Sequence, residues 1–142
     1  MMKRLVFILI VFLLILGFSS VAFAETSIIS DTDTLNEVGE VVMLTATTVL
    51  KGRIQDYYFV MGYGNIDVDY FPLLFIGQHT HSHFAKGKTT IVTTFSYVYN
   101  NELEETTTIF ISYFMNAKHG RSGIIGNECY AEYPITIVAR IP

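Results

Sequence analysis

Residues 89–115 read TTIVTTFSYVY, NNELEE and TTTIFISYFM, two long apolar-rich segments joined by a short polar one. Both long segments, residues 89–99 and 106–115, are rich in β-branched and aromatic residues, which favour extended strands. The segment between them, residues 100–105, is made of asparagine, glutamate and one leucine and is typical of a loop. The pattern predicts a β-hairpin in which two long antiparallel strands are joined by residues 100–105.

The rest of the chain shows the same kind of pattern and no helical period. Further strands are predicted at residues 27–30, 41–49, 56–61, 66–70, 71–76, 128–133 and 135–141. Turns are predicted at residues 51–53 and 62–65, a polar histidine-rich loop that could include a short strand at residues 78–88, another loop at residues 118–127, and a break at Pro134. Turn signals recur about every ten residues without crossover helices, which indicates an all-β antiparallel sandwich or barrel of about seven to nine strands, and of the two we expect the sandwich.

The N-terminus has the three parts of a secretory signal peptide. Lys3 and Arg4 form a basic start, residues 5–16 are an unbroken apolar run, and residues 22–24 (Ala-Phe-Ala) fit a small-x-small cleavage site. Cleavage after residue 24 would leave residues 25–142 as a single domain, secreted or held at the cell surface. The apolar run is shorter than the roughly 20 residues that span a bilayer, which favours cleavage over retention as a membrane anchor. We expect no transmembrane span after cleavage. A retained membrane anchor is the alternative.

The charge and the cysteine content exclude some classes of partner. Without Lys3 and Arg4, seven basic side chains stand against thirteen acidic ones, a net charge of −6. Nucleic acids and anionic membranes bind clustered lysine and arginine, so neither is expected as a partner. Cys129 is the one cysteine of the chain and can form no internal disulfide. We interpret it as a small buried apolar side chain, and a disulfide between two chains remains the alternative.

Three segments resemble bacterial immunoglobulin-like and PKD-type domains. Residues 38–46 (VGEVVMLTA) resemble the family's second strand, where a glycine-bearing turn precedes an alternating strand. Residues 57–64 (YYFVMGYG) take the place of its Trp-Asp-Phe-Gly-Asp-Gly-like segment, with the tryptophan and both acids replaced. Residues 83–92 (HFAKGKTTIV) are similar to its aromatic-x-x-x-Gly turn entering a long strand. The resemblance covers roughly residues 38–99 and implies an immunoglobulin-like sandwich that serves as a non-catalytic extracellular adhesion, spacing or binding unit.

Three of the four histidines, His79, His81 and His83, lie at alternate positions of one short segment. In an extended segment their side chains share one face, and imidazole is a good ligand for zinc and copper. The outer two would lie about 13 Å apart at ~3.3 Å per residue, so a group from elsewhere would have to complete a metal site. The candidates for that group are His119, Asp67, Asp69, Glu128 and Cys129. A polar loop without metal, or a patch that gains charge near pH ~6.5, are the alternatives.

No pattern for catalysis occurs in the chain, so we expect that it is not an enzyme. A Gly-x-Ser-x-Gly elbow, a His-Glu-x-x-His helix and a glycine-rich phosphate loop are all absent from the sequence. Asp67 and Asp69 are interpreted as a solvated strand face, and the acidic group Glu102, Glu104 and Glu105 as a soluble loop. Core and cross-strand packing accounts for most of the tyrosines, but a few that are exposed on a sheet could stack on sugar rings or contact a protein. The candidates are Tyr57, Tyr58, Tyr63, Tyr70, Tyr97, Tyr99, Tyr130 and Tyr133.

The sequence therefore predicts an exported, non-catalytic immunoglobulin-like β-sandwich, without a cofactor, that binds an extracellular protein or carbohydrate. The first alternative is a small exported metal-binding protein that holds zinc or copper with His79, His81 and His83. The second is a structural subunit that forms homo-oligomers through an exposed edge strand, at residues 27–30 or 135–141.

Overall fold

The computed structural model describes residues 24–64, 71–119 and 125–140 of the chain. The predicted signal peptide lies outside these residues except for its last one, Ala24, and so does the strand predicted at residues 66–70. No helix in the described part of the chain is long and apolar enough to cross a membrane.

Eight strands make up most of the described residues and form two four-stranded sheets. They are β1 (Ala24–Ser30), β2 (Thr34–Leu35), β3 (Val41–Lys51), β4 (Ile54–Gly64), β5 (Leu73–Ala85), β6 (Lys88–Tyr99), β7 (Thr107–His119) and β8 (Ile125–Ile137). The first sheet has the order β1-β3-β6-β5 and the second sheet the order β2-β8-β7-β4. All neighbours are antiparallel except β2 and β8. The prediction of an all-β, mostly antiparallel sandwich is confirmed.

The chain passes between the two sheets several times. β3 and β4, and likewise β6 and β7, follow each other in the sequence but lie in different sheets, whereas β5 pairs with β6 and β7 pairs with β8. The crossing from β1 to β2 bridges the two sheets on one side of the sandwich, and β4 and β5 are the edge strands on the other side.

Alternate side chains of β3, β6 and β7 build the core. Their inward residues are almost fully buried and their outward residues are partly exposed, as expected for strands with one face on a core. Tyr113 of β7 lies at the centre, where its ring stacks on Phe95 of β6 with centroids 6.1 Å apart. The Tyr113 hydroxyl also hydrogen-bonds with the Thr93 hydroxyl of β6 at 3.1 Å. A buried hydrogen bond therefore joins the two sheets at the centre of the core.

The hairpin predicted for residues 89–115 is wrong in its pairing, although both strands exist. β6 pairs with β3 and β5, whereas β7 pairs with β4 and β8, so the two strands lie in different sheets. The link between them, residues 100–106, crosses the sandwich and buries Leu103, whose N–H donates to the Tyr99 hydroxyl. Strands that pair in one sheet and strands that face each other across a core show the same alternation of buried residues.

The loop predicted at residues 78–88 is mostly strand. β5 continues to Ala85, and the chain reverses at Lys86 and Gly87 before β6 begins at Lys88. Both turn residues have a positive φ, 52° and 75°, as a two-residue type I′ hairpin requires. The segment has a polar composition because β5 is an edge strand whose side chains are largely exposed, so the hydrophobic signal of a strand is weak.

Two other predicted interruptions are also strand. Gly62 and Gly64 belong to β4, and neither has the positive φ expected of a turn. Pro134 lies within β8, opposite Phe110 of β7, at a point where β2 does not pair with β8. At this point β8 has a neighbouring strand on one side only. A proline is tolerated there because its missing N–H breaks no hydrogen bond to a second neighbouring strand.

Candidate functional site

The predicted metal ligands His79, His81 and His83 are exposed on the outer face of the first sheet, along β5. They lie opposite threonine and valine side chains of β6, which are not metal ligands. The ring centroids of His79 and His81 are 6.0 Å apart. Two imidazoles on one tetrahedral zinc ion have centroids roughly 5 Å apart, so these two rings would have to move about 1 Å closer to hold one ion.

No third ligand joins this pair among the residues that the structure describes. Glu128 lies on the outer face of the other sheet, and its neighbour Cys129 points into the core with 3 % of its surface exposed. Burial raises the pKa of the Cys129 thiol, in keeping with its interpretation as a small buried side chain. Asp67 and Asp69 lie outside the described residues, and so does the side chain of His119. The metal site stays a prediction that rests on the imidazoles of β5.

The outer face of the second sheet carries a group of exposed aromatic and aliphatic side chains, which we call the tyrosine face. It consists of Tyr58 and Val60 of β4, Phe110 and Phe114 of β7, and Tyr130 of β8. Tyr58, Val60 and Tyr130 are each more than half exposed. Val60, Phe114 and Tyr130 form one cross-strand row. Contiguous apolar patches on soluble domains often mark interaction sites, so this face is a candidate for binding.

Hydrogen bonds tether the two exposed tyrosines of this face. Asn116 Nδ2 donates to the Tyr58 hydroxyl at 2.9 Å. The Tyr130 hydroxyl donates to Glu132 Oε2 at 2.9 Å and lies 3.5 Å from Ser112 Oγ. Asn116 Oδ1 is a buried acceptor that meets no donor within the described residues. Because the phenol tips are held, little conformational freedom remains to be lost when a ligand packs on the rings.

Two glycines keep part of this face open. Gly62 and Gly64 occupy outward-facing positions of β4, and a Cβ atom added to either would meet no atom within 4 Å. Gly62 lies opposite Ser112, which in turn lies opposite Glu132. The cross-strand row of Gly62, Ser112 and Glu132 is therefore a shallow, open part of the surface beside the row that contains Phe114 and Tyr130. It carries one hydroxyl and one carboxylate group.

A cleft of about 450 Å³ opens between β4 and β5. Its lining includes the Gln78 amide and the aromatic rings of Phe59, Tyr63, Phe71, Phe75 and Tyr97. The Tyr63 hydroxyl donates to the Leu73 carbonyl, and burial followed by the nearby Tyr63 phenol raises the pKa of Tyr97 to about 12. The described lining residues carry no charged side chain, so the cleft suits ring packing rather than acid–base chemistry.

The sequence identifies Tyr58 and Tyr130 only as members of a larger set of candidate tyrosines. Tyr97 and Tyr99, from the same set, are buried in the core. The sequence does not show which residues of each strand face outward. Alternate residues lie on opposite faces, and the pairing register decides which set is buried. Of the acidic loop residues, Glu104 and Glu105 are exposed as predicted, and Glu102 forms an exposed ion pair with Arg140 at 3.5 Å.

Comparison with models of known protein families finds no match, and neither does comparison with curated proteins. The fold defines the protein as an all-β sandwich of two mostly antiparallel sheets. Its function has to be inferred from the geometry of its surfaces.

Proposed function

We propose that this protein is an exported, non-catalytic binding module whose tyrosine face binds a neutral carbohydrate. The observation that carries the proposal is the pair of exposed, tethered rings, Tyr58 and Tyr130, on one face of a sheet. A sugar presents an apolar C–H face that can pack on an aromatic ring, and hydroxyls that need fixed hydrogen-bond partners. The tyrosine face offers both kinds of contact.

The polar groups around the rings suit a ligand rich in hydroxyls. Glu132 and Ser112 border the open part of the surface at Gly62, and Asn116 lies beside Tyr58. A carboxylate accepts hydrogen bonds from hydroxyl groups, while an amide both donates and accepts. The unpartnered Asn116 Oδ1 gains a donor if a ligand hydroxyl reaches it after a small shift of the side chain.

The charge of the protein favours a neutral ligand over an anionic one. The chain has a formal net charge of −4, and Glu128 and Glu132 both lie on the outer face of the second sheet. An anionic polysaccharide would be repelled by this field. The signal-peptide pattern of residues 1–24 supports export, and the all-β sandwich is compatible with the resemblance of residues 38–99 to immunoglobulin-like modules, which mostly serve in adhesion or binding.

The test is binding of the purified protein to an array of neutral glycans and to insoluble neutral polysaccharides. We expect Tyr58→Ala and Tyr130→Ala each to weaken binding about tenfold or more, which is about 1.4 kcal/mol. Ile29→Ala removes an exposed apolar side chain from β1, away from the tyrosine face and from β5, and binding by this control should be unchanged. Binding that survives both tyrosine substitutions would place the site elsewhere, and tyrosine-dependent binding of a protein alone would replace the carbohydrate with a protein partner.

Metal binding is a second candidate function, favoured by the 6.0 Å separation of the His79 and His81 rings. Calorimetry with zinc and with copper should show stoichiometric binding that disappears when His79, His81 and His83 are all replaced by alanine. Equal binding by the protein and the triple variant would end this hypothesis.

A further inference from the structure

We propose that the free edge of β5 pairs with the same edge of a second copy of this chain, antiparallel and centred on His81. Among the described strands β5 has one neighbour, β6, so the backbone groups on its other side have no strand to pair with. We call residues 77–85, the regular part of β5 beyond the bulge between Phe75 and Gly77, the histidine edge. Its pairing does not depend on the tyrosine face.

The histidine edge lacks the features that usually prevent edge strands from pairing. Residues 77–85 contain no proline and no Lys, Arg, Asp or Glu, and their bulge lies before the segment rather than within it. Natural sandwiches block their edges with charges, prolines, bulges or short strands. The other edge of the first sheet, β1, is only seven residues long and carries Glu25, and the edge strand β4 has a bulge between Ile54 and Asp56.

The sequence of the histidine edge is close to self-complementary about His81. A two-fold axis at His81 sets each residue opposite one of similar kind, which an interface between identical copies requires. The pairs are His81 with His81, His79 with His83, Thr80 with Ser82, Gly77 with Ala85 and, as the one mismatch, Gln78 with Phe84. All three imidazoles lie on the outer face, so side chains of the same face meet in every pair.

Charges near this edge do not oppose the pairing. Arg53 lies over the Phe84 ring at 4.5 Å, and Lys86 and Lys88 are at the turn, so these basic groups are at one end of the segment. In the proposed register Lys86 falls beside Ile76 of the second copy, and the two Lys86 residues are about 33 Å apart. Pairing adds about eight to ten backbone hydrogen bonds over a small area, so we expect a reversible dimer with a Kd on the order of micromolar.

Cysteine cross-linking tests the register, with a chelator present throughout so that no metal bridges the copies. His81→Cys sets the new thiol opposite itself, with Cα atoms about 4.5–5.5 Å apart, which is within the range of a disulfide, and should cross-link on mild oxidation. His79→Cys alone lies about 13 Å from its mate and should not cross-link, whereas a mixture of His79→Cys and His83→Cys should. The unmodified protein gives the background from Cys129, and Ser27→Cys on β1 is the control for the opposite edge.

The readouts are the covalent dimer on a non-reducing gel and the mass of the unmodified protein by sedimentation at rising concentration. A concentration-dependent dimer together with the His81 pattern supports the proposal. A monomer at all concentrations, or cross-linking of His79→Cys alone as strong as that of His81→Cys, would overturn it. The substituted side chains are exposed, and unfolding curves matching the unmodified protein show that each variant is folded.

Discussion

The phenol group of Tyr113 connects the two sheets through a series of side-chain hydrogen bonds. The Tyr113 hydroxyl hydrogen-bonds with the Thr93 hydroxyl at 3.1 Å. Thr80 of β5 then donates to Thr93 at 3.1 Å. These residues come from β7, β6 and β5, so the series runs from the second sheet to the edge strand of the first sheet. A buried polar network of this kind favours one arrangement of the sheets over others, because any shift leaves a hydroxyl without a partner.

Tyr113→Phe tests the contribution of this network to stability. The substitution keeps the ring that stacks on Phe95 but removes the hydroxyl, so Thr93 loses a buried partner. We expect the free energy of unfolding in urea to fall by about 1–3 kcal/mol. Tyr130→Phe removes an exposed hydroxyl and should change it by less than about 0.5 kcal/mol. Equal effects of the two substitutions would show that the network does not stabilise the fold.

Tyr97 should make the protein less stable at alkaline pH. Its pKa is about 12 in the folded protein, because burial and then the nearby Tyr63 phenol disfavour the phenolate, against about 10 in an unfolded chain. Below pH ~10 the phenol is protonated in both states and has no effect. Between pH ~10 and ~12 the unfolded chain loses the proton first, which favours unfolding by up to about 3 kcal/mol.

Urea unfolding of the protein and of Tyr97→Phe at several pH values from about 9 to 11.5 measures this effect. The variant should lose less stability over this range. Some loss should remain, because burial also raises the pKa of Tyr63 and of Tyr113. Parallel pH profiles for the two proteins would mean that Tyr97 titrates alike in the folded and unfolded states.

At the level of strands, β6 and β7 show how far the sequence predicts this fold. Their alternation correctly indicates two strands with one buried face each, and the neighbouring pattern correctly indicates a sandwich. The pairing depends on the path of residues 100–106, where burial of Leu103 turns the link across the core instead of back along the same sheet. A local pattern carries no information on this choice, because the contacts that decide it are between distant segments.

The candidate site is predictable to a similar extent. The spacing of His79, His81 and His83 correctly places them on one face of an extended segment. The sequence does not indicate that this segment is a strand, because an edge strand exposes both of its faces in part and its composition is therefore polar. The tyrosine face draws on three strands that are far apart in the sequence, so no stretch of the chain could reveal it.

The turn between β5 and β6 offers a test at this level. Lys86 has a φ of 52°, which costs a residue with a Cβ atom about 1 kcal/mol, whereas asparagine tolerates this conformation better. Lys86→Asn should therefore raise the free energy of unfolding by about 0.5–1 kcal/mol. Gly87→Ala should lower it by about 1 kcal/mol, since Gly87 has a φ of 75°. Stability that shifts in the same direction in both variants would contradict a type I′ turn.

In the whole molecule, the tyrosine face and the histidine edge lie on different sides of the sandwich. The tyrosine face is the outer surface of the second sheet, and the histidine edge lies at the margin of the first sheet. A two-fold axis through His81 that continues the first sheet from one copy into the next is perpendicular to that sheet. Such an axis leaves both second sheets on the same side of the dimer. The two tyrosine faces then point in one direction, and both can reach a single surface.

This geometry predicts avidity and combines the two proposals. The oxidised His81→Cys dimer should bind a polysaccharide surface at least about tenfold more tightly than the reduced protein, because the second site binds at a high effective concentration. A soluble oligosaccharide that fills one site should bind both forms equally. Tyr58→Ala in the same dimer should weaken surface binding by more than it weakens binding of the oligosaccharide, since both sites are affected. Surface binding that is unchanged by oxidation, with cross-linking confirmed, would mean that the two tyrosine faces do not point the same way.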